Sequence, residues 1–140
     1  MRTRSRVLAT AATVTAVAVV GMSGPAQAVY IDWDIYKNYA SLGTYTCGSN
    51  PKASVPLRYG GTGAGGFGLY HIEEGHGDFT STDSANVAQT LAYGQITHQT
   101  NQQTYRHNMG GQGTWRVVVS TRCDSPQDQS INGVITAFRE

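Results

Sequence analysis

The first 28 residues constrain this chain most, because they have the pattern of a secretory signal peptide. Arginines at positions 2, 4 and 6 precede an apolar run over residues 7–22, and Ala26-Gln27-Ala28 is a small-x-small cleavage site. Removal of this segment leaves 112 of the 140 residues, which is too few for a multidomain enzyme. No later apolar run is long enough to cross a bilayer. We therefore predict a signal peptide over residues 1–28 and a single secreted, extracellular domain over residues 29–140, with no membrane partner.

The secreted segment is slightly acidic, although the whole chain has a formal net charge of +1. The signal segment holds three of the ten Lys/Arg residues and none of the nine Asp/Glu residues, so residues 29–140 have a net charge of −2. This balance argues against broad electrostatic capture of nucleic acid. Any basic cleft has to be local, and the span 106–122 contains three arginines and no acidic residue.

The two cysteines, Cys47 and Cys123, predict one disulfide bond. An even pair in an exported chain is typical of a structural bridge, and no C-x-x-C motif suggests a redox or metal pair. The bridge would join residues 76 positions apart. By the chain-entropy model this is worth about 4 kcal/mol.

The order of the secondary-structure patterns predicts an α+β domain. After an aromatic, weakly patterned start, residues 67–75 and 85–91 fit short helices bounded by cap-forming residues and glycines. Residues 103–108, 114–122 and 134–138 fit strands. We therefore expect short N-terminal helices packed on a three- to four-stranded antiparallel sheet, with one disulfide.

The strand over residues 114–122 has the clearest two-residue period. Trp115, Val117 and Val119 alternate with Arg116, Val118 and Ser120, which predicts an apolar face under the helices. The second face would carry Arg116 and Arg122, either as part of the solvated surface or as part of a binding site for a phosphodiester. The hydroxyl of Thr136 on the neighbouring strand, and His107 beside Arg106, would add to such an anion site.

The segment 61–66 matches G-x-G-x-x-G, the fingerprint of dinucleotide-binding folds. That interpretation fails, because the fingerprint needs a second parallel strand leading to an acidic residue and the following segment 78–84 is polar turn material. A flexible loop is the simpler interpretation. An alternative is that its backbone N–H groups face an anionic ligand.

The segment 71–76, His-Ile-Glu-Glu-Gly-His, holds the densest group of reactive side chains. Histidine suits general acid–base chemistry near neutral pH. On a helix, His71 and His76 would point about 140° apart. A shared zinc ion, as in a small metallohydrolase, would need the helix to break at Gly75.

Several short motifs resemble the toxin modules of the barnase/EndoU-like ribonuclease superfamily. They are Phe-Gly-Leu-Tyr-His-Ile-Glu-Glu-Gly-His-Gly at 67–77, Gly-Thr-Trp-Arg-Val-Val-Val at 113–119 and Asn-Gly-Val-Ile-Thr-Ala-Phe at 132–138. The resemblance spans about residues 57–139. The chain differs from the family pattern in having Tyr70 where an arginine often precedes the histidine, and in its added disulfide.

The resemblance implies a bacterial toxin whose antiparallel sheet cleaves RNA without metal or other cofactor, with His71 and Thr136 at the reacting centre. We expect His76 or His107 to serve as a second proton-transfer group, and Arg106, Arg116 and Arg122 to bind the phosphate. The partners would be the RNA substrate and a cognate immunity or inhibitor protein.

The alternative is a non-enzymatic module that binds another exported protein as an inhibitor or assembly component. It rests on the aromatic start, because tyrosine and tryptophan are common anchors of protein interfaces. The same side chains would equally serve as core residues. They are Tyr30, Trp33, Tyr36 and Tyr39.

Overall fold

The computed structural model describes residues 30–48 and 50–140. The predicted signal peptide, residues 1–28, lies outside the described residues. In chain order the elements are β1 Asp32–Cys47, β2 Asn50–Gly60, α1 Leu69–His76, α2 Ser81–Tyr93, β3 Gln95–Gln99, β4 Gln102–Asn108, a short 3₁₀ turn Gly110–Gln112, β5 Thr114–Ser120 and β6 Gly133–Arg139. The predicted α+β class is confirmed.

The strands form two antiparallel sheets. β1 and β2 make a long hairpin, and the other four strands make a sheet in the order β3-β4-β5-β6. The hairpin was not expected as one unit, because the register shifts within β1 interrupt the alternation of its side chains. It contributes Tyr39, Val55 and Leu57 to the core.

The second helix begins four residues before the predicted start at residue 85. Thr80 and Asp83 form a reciprocal capping box, in which each side chain accepts a hydrogen bond from the other residue's backbone N–H. Val87 and Leu91 lie on the buried side of α2. They pack against Val117 and Val119 of β5 in the main hydrophobic core.

The four-stranded sheet therefore has two different faces. The core face of β5 carries Trp115, Val117 and Val119, as the alternation predicts. Val118, on the other face, does not belong to that core cluster. β3 was not predicted, since Gln95–Gln99 is a mostly exposed edge strand without an apolar face.

The predicted disulfide is confirmed. Cys47 and Cys123 are bonded, with 5.7 Å between their Cα atoms. The bond ties the end of β1 to the long connection between β5 and β6. It therefore links the hairpin to the four-stranded sheet.

A buried arginine, which the sequence did not reveal, fixes the same connection. Arg58 of β2 is fully buried, and its guanidinium donates hydrogen bonds to both carboxylate oxygens of Asp128, at 3.1 and 2.8 Å. It also donates to the carbonyl oxygens of Trp33, Ile131 and Asn132. Partial burial acts to raise the pKa of Asp128, but hydrogen bonds from Arg58 and Ser130 outweigh it and lower that pKa to about 2.

Within residues 30–48 and 50–140, neither helix has the length and apolar character needed to span a bilayer.

Candidate functional site

Three predicted site residues share the second face of the four-stranded sheet, which we call the arginine face. Directly opposed residues of antiparallel strands point to the same side of a sheet. Arg106 is opposite Arg116, and Arg116 is opposite Phe138. These three residues form a row across β4, β5 and β6. The next row contains Thr104, Val118 and Thr136.

His76 extends the first row beyond the edge of the sheet. Its imidazole stacks on the ring of Phe138, with 4.7 Å between the centroids and 19° between the planes. The guanidinium carbon of Arg116 also lies close to Phe138, 5.8 Å from its ring centroid. The end of α1 is thus held beside a cationic part of the sheet. Phe138 was not predicted to belong to the site, although it is in phase with Thr136 on the same strand.

The three arginines differ in their charge partners. Arg106 Nε lies 2.9 Å from Glu140 Oε1, and Arg122 Nε lies 3.1 Å from Asp124 Oδ2. Arg116 has no carboxylate partner in the part of the chain that the structure describes, and its buried Nε makes no hydrogen bond there. A buried donor without a partner is costly. Arg116 is therefore the arginine best placed to accept an anionic ligand.

Thr136 lies one row away, opposite Val118 and half-buried. Its hydroxyl makes no hydrogen bond to any residue among those described, so it is free to bind a ligand on the arginine face. This placement brings Thr136 together with Arg116, because residues two apart on neighbouring strands lie side by side on one face.

His71 packs against a different part of the structure from His76. Its buried Nδ1 has no hydrogen-bond partner within the described chain and lies 3.8 Å from Glu74 Oε2. It also packs against Gly66, where even a methyl group would approach Nδ1 to 2.9 Å. Among the described residues, no ion pair or hydrogen bond joins His71 to an arginine.

Gly66 connects His71 to the far end of the arginine face. A cavity of about 460 Å³ lies there, lined by Gly66, Ser120, Arg122 and Ile135 among others. Arg122 is thus separated from the Arg106–Arg116 row by the length of β5. Of the predicted residues on the sheet, Arg106 and Arg116 thus lie at one end of the arginine face and Arg122 lies at the other, with Thr136 between them.

His107 lies on the other face of β4. It is opposite Trp115, a core-face residue, and its ring lies 6.2 Å from that of Tyr93 on α2. Neighbouring residues of a strand point to opposite faces. Arg106 and His107 therefore point to opposite faces of β4, yet both line one cavity of about 440 Å³ together with Tyr93 and Asn108.

The glycine segment forms a loop that is hydrogen-bonded at its base and to helix α1. Gly61 and Phe67 exchange backbone hydrogen bonds across its base. The backbone N–H of Gly63 donates to Glu74 Oε2 at 2.8 Å. The backbone N–H of Gly63 therefore faces a carboxylate of helix α1, and the predicted binding of an anionic ligand by this loop stays a prediction.

Comparisons of the chain with family models, with curated proteins and with solved structures gave no significant match. Across the described ranges, no group of three or more His, Cys, Asp or Glu side chains is arranged to hold a metal ion.

Proposed function

We propose that this chain is a secreted, metal-independent endoribonuclease that acts as a bacterial toxin. The observation that carries the proposal is the position of Arg116 and its lack of a charge partner within the described chain. Its guanidinium is on the arginine face without a carboxylate partner in the described chain, between Arg106 and the His76–Phe138 stack. A cation in this setting suits a phosphodiester, because Arg binds phosphate oxygens with fixed geometry.

The proposed reaction is an internal transesterification. The 2′-oxygen of a ribose attacks the adjacent phosphorus, the P–O5′ bond breaks, and the products are a 2′,3′-cyclic phosphate and a 5′-hydroxyl. His71 accepts the proton of the 2′-hydroxyl, and His76 donates a proton to the leaving 5′-oxygen. Arg116 stabilises the charge on the pentacoordinate phosphate, and Thr136 positions it. No redox step and no cofactor is required.

The disulfide also supports this proposal, because it suits an oxidising compartment, in line with export after cleavage near Ala28. The net charge of −2 in residues 29–140 does not favour general binding of nucleic acid, so the proposal requires that the arginine face binds the RNA locally. A toxin of this kind would need a cognate inhibitor protein in the cell that makes it.

The test is incubation of the mature protein, residues 29–140, with end-labelled RNA in EDTA between about pH 5 and pH 8, where histidines change charge. We expect cleavage that leaves cyclic phosphate ends and is lost in His71→Ala and His76→Ala proteins that still fold. Absence of cleavage throughout this range, or full cleavage by both variants, would exclude the proposal.

A second candidate function, binding of another exported protein, is favoured by exposed apolar residues in the hairpin and just before it. Tyr30 is 80% exposed and Leu42 is 60% exposed. Tyr39 is buried and Trp33 packs on Phe67, so only part of the aromatic start is available for an interface. This function is supported if a purified exported partner forms a one-to-one complex that Tyr30→Ser and Leu42→Ser weaken, while RNA is not cleaved. It is excluded if those substitutions leave the complex unchanged.

A further inference from the structure

A second cavity lies on the helix side of the sheet edge. Its volume is about 430 Å³, and it opens to the surface between the α1–α2 connection, the first half of α2, the start of β5 and the end of β6. Cavities of this size are typical of small-ligand sites. None of the predicted catalytic or phosphate-binding residues except His76 lines it.

Asn86 is the polar residue that makes this cavity unusual. It lies on α2 with only 7% of its surface exposed, and it lines the cavity. Its side-chain amide makes no hydrogen bond to any residue in the described ranges. Asparagine is a poor helix former. Its amide atoms are not among the fully buried side-chain atoms that lack a partner, so they face the open space of the cavity that the residue lines. The amide is therefore placed to bind something that enters the cavity.

The remaining walls suit a flat ring. Phe79, Trp115 and Phe138 line the cavity, with the imidazole of His76 stacked on Phe138. Aromatic walls together with an amide, which offers both a donor and an acceptor, are the groups with which proteins hold an unstacked nucleobase. Asparagine can pair with a base edge through two hydrogen bonds.

The charges around the cavity indicate which part of a nucleotide enters. Asp78 and Asp83 line it and would repel a phosphate, whereas Arg139 is the only arginine or lysine among its lining residues. An uncharged base fits better than a phosphate. His76 and Phe138 border both this cavity and the arginine row, so a nucleotide with its phosphate at Arg116 can direct its base toward Asn86.

We infer that this cavity is a nucleobase-binding subsite, with room for a purine, in which the Asn86 amide pairs with the base edge. The inference rests on the proposed function, because it places the base of the same RNA substrate. The mature protein is titrated with adenosine 5′-monophosphate by calorimetry, and with ribose 5-phosphate, which lacks the base. We expect saturable binding of the nucleotide and much weaker binding of ribose 5-phosphate, which keeps only the phosphate contact at Arg116.

Matched variants on α2 sharpen the test. Asn86→Leu fills the same space without polar atoms and should weaken nucleotide binding about tenfold or more, as loss of a paired amide does elsewhere. Gln89→Ala, at an exposed position of the same helix, should bind as the unmodified protein does. The inference is overturned if adenosine monophosphate fails to bind at millimolar concentration or binds Asn86→Leu equally well.

A second measurement covers the case in which Asn86→Leu does not fold. In the unmodified protein, nuclear magnetic resonance should show shifts of the Asn86 side-chain amide and the Trp115 indole when the nucleotide is added. Shifts confined to the arginine row would overturn the inference.

The outcomes also distinguish the subsite from the proposed function. If the nucleotide binds in a way that depends on Asn86 but the protein does not cleave RNA, the ribonuclease function is excluded and the subsite is retained. If RNA is cleaved at a rate that depends neither on Asn86 nor on the identity of the base, the ribonuclease function is retained and the nucleobase subsite is excluded.

Discussion

The imidazole of His76 lies nearly parallel to the ring of Phe138, with their centroids 4.7 Å apart. Because Phe138 is opposite Arg116 on the sheet, this stack fixes the last residue of α1 at the end of the arginine row. His71, on the same helix, packs on Gly66 instead. One short helix thus supplies two histidines to different parts of the proposed site, and their roles can be separated by substitution.

The first prediction separates stacking from proton transfer at position 76. His76→Phe keeps an aromatic ring on Phe138 but cannot donate a proton to the leaving oxygen. We expect it to lower kcat for RNA cleavage by about 10²–10⁴, the usual contribution of general acid–base catalysis, with little change in the melting temperature. His98→Ala on the exposed edge strand β3 is the control and should retain full activity. Full activity of His76→Phe would show that this histidine only stacks.

The second prediction concerns the unpaired guanidinium. Arg116→Ala should reduce cleavage by about 10²–10³, the range found when one donor to a charged transition state is removed. Its stability should change little, because no carboxylate of the described chain loses a partner. Initial rates on one labelled RNA, with thermal melts of each variant, provide the measurement.

Two comparisons make that result specific to Arg116. Lys52→Ala removes an exposed positive charge from the hairpin and should leave the rate unchanged. Arg116→Lys keeps the charge but not the planar donor geometry, so it should restore only part of the activity. Equal losses in Lys52→Ala and Arg116→Ala would mean that net charge, rather than the position of Arg116, governs the reaction.

The third prediction follows from the buried Arg58–Asp128 pair. The pKa of Asp128 is lowered in the folded chain to about 2 from an ordinary value of 3.8. A lowered pKa contributes stability that is present above the ordinary value and is lost as the pH falls toward the folded value. We expect the free energy of unfolding to decline between about pH 4 and pH 2, and this part of the decline to be absent in Asp128→Asn. Urea unfolding at several pH values measures it.

Removal of Asp128 should also be costly at neutral pH. Asp128→Ala leaves the fully buried Arg58 without its counter-ion, and breaking a buried pair in this way costs about 3 kcal/mol or more. Glu140→Ala breaks a surface pair with Arg106 and should cost about 1 kcal/mol at most. Similar losses for the two variants would contradict the assignment of Arg58–Asp128 as a structural pair.

Local patterns in the sequence were sufficient to predict those features of the fold that depend on residues close together in the chain. The alternation of Trp115, Val117 and Val119 identified the core face of β5, and the cluster of cap-forming residues before residue 85 located the start of α2 approximately. The disulfide followed from compartment and cysteine count. Each of these inferences used information within a few residues or a property of the whole chain.

The features that were missed depend on residues distant in the sequence. Arg58 gives no local signal of its role, because its carboxylate partner Asp128 is 70 positions away. The His76–Phe138 stack joins a helix end to the last strand in the same way. β3 was missed for a different reason, since an exposed edge strand carries no apolar period. The face on which His107 lies required the β4–β5 register, which the sequence does not give.

The fourth prediction concerns alkaline stability. Burial raises the pKa of Tyr45, whose hydroxyl is hydrogen-bonded to that of Tyr105, and burial also raises the pKa of Tyr39. The free energy of unfolding therefore keeps its full value below the ordinary tyrosine pKa of 10.0. It decreases as the pH rises above that value, because these tyrosines ionise at lower pH in the unfolded chain than in the folded one. Tyr45→Phe should cost about 1 kcal/mol at neutral pH through the lost hydrogen bond, yet show a shallower decline above pH 10. Tyr93→Phe, at a residue that is 72% exposed, should change neither quantity.

The last prediction concerns the disulfide, which closes a long segment of the chain. Cys47 and Cys123 are 76 positions apart, and a loop of that length should stabilise the fold by about 4 kcal/mol through the unfolded state. We expect dithiothreitol to lower the midpoint of urea unfolding, and the Cys47→Ala, Cys123→Ala double variant to show the same midpoint with or without reductant. Because Cys47 is buried, alanine is preferable to serine, whose hydroxyl would be buried there. A midpoint unchanged by reduction would mean that Arg58 and its partners hold the 121–132 connection as firmly as the covalent bond does.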